Sequence, residues 1–169
     1  RGEGATADAG FSPYAMLNRL QLDGILGGFT AEEVRARVQL AEQCANIARR
    51  NFAQSYDFWD AVMPADAQLT KMLLEGSLPD SGPALANAYN EAIEQVPKSL
   101  RQLDSVLKQL RLLAKFLRPK DEKIAAALDE VAERLQARHA SSSPSTPAAA
   151  SASTAAATPA RAAAAAPRA

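Results

Sequence analysis

LRQLDSVLKQLRLLAKFL, residues 100–117, places Leu100, Leu103, Leu107, Leu110, Ala114 and Leu117 at alternating steps of three and four residues. That spacing keeps one face of an α-helix turned toward a neighbouring helix. The same rhythm recurs upstream in Val34, Val38, Ala41, Ala45, Ala48, Phe52, Ser55, Trp59 and Val62. It returns downstream in Ile124, Leu128, Val131 and Leu135. Three such stripes in one chain predict an all-α fold, an antiparallel four- to five-helix bundle with disordered N- and C-terminal tails.

Boundary signals divide the chain. Residues 1–10 are small and polar and read as a disordered lead-in. Ser12-Pro13 is an N-cap followed by proline at the first helical position, and it predicts a helix to about Leu26, closed by Gly27-Gly28. Tyr14, Leu17, Leu20 and Ile25 are its expected inward residues. Thr30-Ala31-Glu32-Glu33 fits a capping box and opens the next helix. The stripe carries that helix to about Met63, where Pro64 breaks it, a length of about 50 Å. Its first half would bury small residues around Cys44, and its end Phe52, Tyr56 and Trp59. A shorter helix is predicted from Ala65 to Glu75, with Gly76 closing it. Leu78-Pro79-Asp80-Ser81-Gly82-Pro83 reads as a turn. From Pro83 to Leu117 the apolar face stays in phase across Pro97, which favours one long kinked helix over two. Asp121 caps a last helix to about His139. The bundle therefore spans 11–139. Residues 140–169 are nearly all Ala, Ser, Thr and Pro and are expected to be a disordered tail. The expected core includes Val34, Val38, Phe52, Trp59, Leu85, Tyr89, Leu103, Leu107, Leu110, Ile124, Leu128 and Val131.

Nineteen bases balance nineteen acids, so no global field draws nucleic acid or membrane to the chain. The distribution is uneven. Residues 57–97 carry seven acids against Lys71, and residues 98–123 carry eight bases against Asp104, Asp121 and Glu122. The simpler reading is two complementary solvated faces of one bundle; the functional reading is a docking surface for a charged partner. The candidate contacts are Arg101, Lys108, Arg111, Lys115 and Arg118, which recur outside the apolar stripe. No exposed aromatic side chains are expected among them for base stacking, which argues against nucleic acid.

The search for chemistry finds little. Cys44 is the only cysteine and His139 the only histidine, and nothing local brings them together as a nucleophilic pair. No Glu stands three residues before a His, as di-iron bundles require. Glu91 with Glu94 and Asp57 with Asp60 could hold a divalent cation only weakly, and solvated acids are the simpler account. The expectation is no catalysis, no metal and no cofactor. The apolar runs fall far short of the roughly 20 residues that span a bilayer. The chain starts at Arg1, as expected of a processed form or a fragment from which a targeting segment has gone. The partners expected are protein subunits of a larger complex, with peripheral membrane association. An alternative is a surface-active bundle that opens to coat lipid or polymer granules, with Phe52, Phe58 and Trp59 as anchors.

The hinge Pro119-Lys120-Asp121-Glu122-Lys123, set between a long amphipathic helix and the next, resembles a stretch of the PsbQ family. Its members are extrinsic four-helix-bundle subunits on the lumenal side of photosystem II. The resemblance implies a non-catalytic subunit of the thylakoid lumen that docks on a membrane complex and stabilises it. Two features depart from the family: plant members are distinctly basic where this chain is neutral, and one helix rather than two follows the hinge.

Overall fold

The computed structural model describes residues 12–96 and 100–140. The lead-in, Pro97 and nearly all of the predicted tail lie outside them. Six helices form the described chain: α1 (Pro13–Leu26), α2 (Ala31–Ser55), α3 (Phe58–Glu75), α4 (Leu78–Glu94), α5 (Leu100–Leu117) and α6 (Glu122–Ala140). The architecture is all-α, as the periodicity predicts.

Five helices pack in sequence around the main core, in the order α1, α3, α4, α6, α5, and the α5–α1 seam that closes the ring is its sparsest contact. Leu69, Leu78, Leu85, Tyr89, Ile93, Leu110, Leu128 and Leu135 fill this core and are all but sealed from solvent. The remaining helix, α2, lies against α1 and α3 and shares with them a second, smaller cluster. That cluster sets Leu17 and Leu20 against Ala41, Cys44, Ala45 and Ala48, with Met63 and Ala67 from α3. The alanines let the helices approach closely. Gly24 serves the same end against α3, where an added Cβ would stand 3.0 Å from Leu73 Cβ.

Local signals set most helix ends where the sequence puts them. Ser12 accepts the Ala15 amide, Thr30 and Glu33 complete their capping box, and Gly76 closes α3 in the left-handed conformation. Asp121 Oδ1 accepts the amides of Lys123 and Ile124 at 3.0 and 3.1 Å, capping α6.

Three boundaries differ from the sequence reading. First, the chain breaks at Tyr56, not Pro64. Tyr56 adopts φ 51°, and Asp57 caps α3 by accepting the Trp59 amide at 2.8 Å. Ser55 Oγ accepts the Asp57 amide and donates to Asp60, so three short polar side chains build the corner. The reversal lets α3 cover the Ala41–Ala48 stripe that a straight helix would leave open, and α3 continues through Pro64. The break also changes which aromatic rings are buried. Phe58 enters the core, Trp59 is 40% exposed, Tyr56 is exposed and Phe52 only partly buried. Second, residues 78–83 are the first turns of α4 rather than a loop. Pro79 stands where the helix needs no amide donor. Buried Gly82 lets α4 approach α6 near Val131. Third, α4 ends at Glu94 and α5 begins at Leu100, so the predicted kinked helix is two helices with different neighbours. Tyr14 is exposed, and Val34 and Ile124 are only partly buried.

Candidate functional site

The five bases singled out in the sequence are all exposed, four on α5 and Arg118 just past its end, but the structure sorts them into two lines. Arg111 donates to Gln136 and Arg118 pairs with Asp129, so this line, one seven-residue step long, braces α5 against α6. Arg101, Lys108 and Lys115 form the other, at two seven-residue steps, running about 21 Å along the outward face. Lys108 pairs with Asp104 at 2.7 Å, an exposed pair one helical turn apart that contributes a few tenths of a kcal/mol. Among the described residues, no carboxylate lies within ion-pair distance of Arg101, Arg111 or Lys115. Among the described residues, no ion pair joins the basic block to the acidic one. Glu94 pairs with Arg138 of α6, Asp60 takes the Ser55 hydroxyl, and Asp66 takes a tyrosine hydroxyl. The acids of residues 57–97 thus leave the positive face of α5 unneutralised.

Sequence spacing did not reveal what stands beside that face. Leu112 and Phe116 are each 52% exposed. Helical geometry sets them on the edge toward Gln109, away from Arg111 and Arg118. Gln109 donates to Gln21 of α1 at 3.0 Å, and Lys120 Nζ donates to the Ile25 carbonyl at 3.1 Å. The C-terminal half of α1 is therefore the neighbour on that edge, and it exposes Leu22 and Leu26. Four of the seven exposed large apolar side chains of the described residues flank this one seam.

The other groups weighed for chemistry are dispersed. Cys44 is buried between α1, α2 and α3, where loss of solvent pushes its thiol pKa up. His139, expected at the end of the last helix, is buried in α6, which packs on α4 and α5. The two therefore sit in separate parts of the fold. Asp57 and Asp60 are engaged at the α2–α3 corner. Among the described residues, no three His, Cys, Asp or Glu side chains gather to hold a metal ion. No helix there is long and apolar enough to cross a membrane. A surface cleft of ≈ 300 Å³ between α2, α3 and α4 is lined by Arg49, Asp60, Gln68, Glu91 and Gln95 around Phe52 and Pro64.

One buried polar pair went unread in the sequence. Tyr89 Oη donates to Asp66 Oδ1 at 2.6 Å, joining α4 to α3 across 23 positions of sequence. Burial pushes the Asp66 carboxyl up to about 6, against the lowering effect of the tyrosine hydroxyl. Burial, then the neighbouring carboxylate, hold the Tyr89 hydroxyl well above its ordinary value.

Set beside known protein families, curated proteins and solved structures, the chain finds no match in any of them.

Proposed function

We propose that this chain is a non-catalytic accessory subunit that docks on a larger, membrane-associated assembly through the outward face of α5. The carrying observation is the basic line of Arg101, Lys108 and Lys115, in which Asp104 pairs with Lys108 alone, with Leu112 and Phe116 exposed beside it. Charge of one sign steers encounter, and exposed apolar side chains supply area to bury once contact is made. The PsbQ-like hinge at Pro119–Lys123 supports the lumenal face of photosystem II as the assembly. It lies at the C-terminal end of that same face.

The test is fractionation of the source cell. Its membranes are washed in low and then high salt, and co-migrating proteins are identified by mass spectrometry. The proposal predicts a membrane-bound fraction that high salt releases, with a constant set of companions. A chain that runs alone as a small species in low salt would refute it.

A further inference from the structure

We infer that the outward face of α5, together with the exposed end of α1, rests on a bilayer that carries anionic lipids. This rests on the reading of α5 as the docking face and names the chemistry of its partner.

Three observations carry it. The first is charge. Of the five bases on α5 and at its end, only Lys108 and Arg118 have a carboxylate partner among the described residues, Asp104 and Asp129, so the surface keeps a positive excess. Lys and Arg near an anionic bilayer are each attracted to it, and the attraction falls off with salt. The second is the kind of apolar group beside them. Leu112, Phe116, Leu22 and Leu26 are large, half or more exposed, and gathered at one seam. A polyphosphate backbone gives Leu nothing to bury, whereas the acyl boundary of a bilayer takes Leu and Phe while flanking bases reach the headgroups. The third is the form of the surface. Helices α1 and α5 lie side by side at this seam, joined by the Gln109–Gln21 and Lys120–Ile25 hydrogen bonds. Among the described residues no helix can cross the membrane, so contact here is peripheral. Unlike an opened bundle anchored by Phe58, this mode leaves the core closed, with Phe58 still 3% exposed.

The experiment is flotation of the full chain with protein-free vesicles of phosphatidylcholine alone or mixed with phosphatidylglycerol. Binding to the mixed vesicles only, released by salt, is expected. Arg101→Glu with Lys115→Glu breaks no internal ion pair and should weaken binding at least about tenfold. Leu112→Ser with Phe116→Ser should weaken it about tenfold or more and leave the salt dependence in place. Circular dichroism melts confirm that each variant folds. No flotation with anionic vesicles overturns the proposal, as does flotation that neither pair of substitutions changes. Sedimentation showing a dimer that Leu112→Ser with Phe116→Ser dissolves would also overturn it, because a second copy would then cover the face. If the chain ignores vesicles but still rebinds salt-washed membranes through Arg101 and Lys115, the lipid assignment fails while the docking face stands.

Discussion

Replacing Asp66 with Asn should stabilise the protein at neutral pH and leave it unchanged in mild acid. Asn keeps an oxygen to accept the Tyr89 hydroxyl, so the substitution removes charge with little loss of geometry. Burial lifts the carboxyl from the ordinary 3.8 to about 6 in the folded chain. A raised carboxylate pKa means that the folded state holds its proton more tightly than the unfolded state. Stability associated with this group is complete below about pH 4 and lost as pH climbs through about 6. A shift of about two units corresponds to on the order of 3 kcal/mol. Asp66 keeps some contact with solvent, so about 1–3 kcal/mol is the expected range. Urea unfolding of wild type and Asp66→Asn, followed by circular dichroism from pH 4 to pH 8, reads the difference directly. The gap should be near zero at pH 4 and open in favour of Asn through pH 6. Tyr89→Phe supplies the converse, since that hydroxyl favours the ionised carboxylate. Its cost should be larger at pH 8 than at pH 4. A gap between wild type and Asn that does not vary with pH, or an Asn variant that is the less stable at pH 8, would refute the reasoning.

Three further outcomes follow from the packing. Phe58→Ala should cost about 3–5 kcal/mol in chemical denaturation and Trp59→Ala well under half of that. Trp59 emission should also be accessible to iodide in the folded protein, since this ring is 40% exposed and Phe58 3%. Gly24→Ala should lower stability by about 1–3 kcal/mol despite the better helix propensity of alanine, because the new methyl meets Leu73 at 3.0 Å; an increase in melting temperature would contradict that close approach. Cys44 is sealed from solvent and its thiol pKa is raised, so a thiol reagent should react with it only after urea unfolds the chain.

What was legible in the sequence was what is decided locally. The Thr30–Glu33 box, Gly76 and Asp121 act within four residues of themselves, and each sits where its residue type placed it. The buried positions of α5 and α6 follow from period alone, as Leu103, Leu107, Leu110, Leu128 and Val131 show. The α2–α3 corner was hidden because Tyr56 takes a left-handed backbone without being glycine, and because the Ala41–Ala48 stripe requires α3 as its cover. Pro64 looked like the stronger break, yet a helix tolerates one lost amide bond when packing on both sides holds it. Once the corner moves, the core takes Phe58 in place of Trp59, while Val62 keeps its buried place. The basic residues of α5 were visible as a group, but only tertiary neighbours distinguish Arg111 and Arg118, held to α6, from Arg101, Lys108 and Lys115. Leu112 and Phe116 gave no signal, because single apolar residues outside a stripe are common on protein surfaces. Asp66 and Tyr89 meet from different helices and share no spacing rule.

The central claim is that the outward face of α5 docks the chain on its assembly, and rebinding tests it most directly. Purified wild type and the Arg101→Glu, Lys115→Glu double variant are added back to salt-washed membranes of the source cell at low ionic strength. The account predicts saturable rebinding of wild type and at least about tenfold weaker rebinding of the variant, with unchanged thermal melts. Equal rebinding of the two proteins would contradict it.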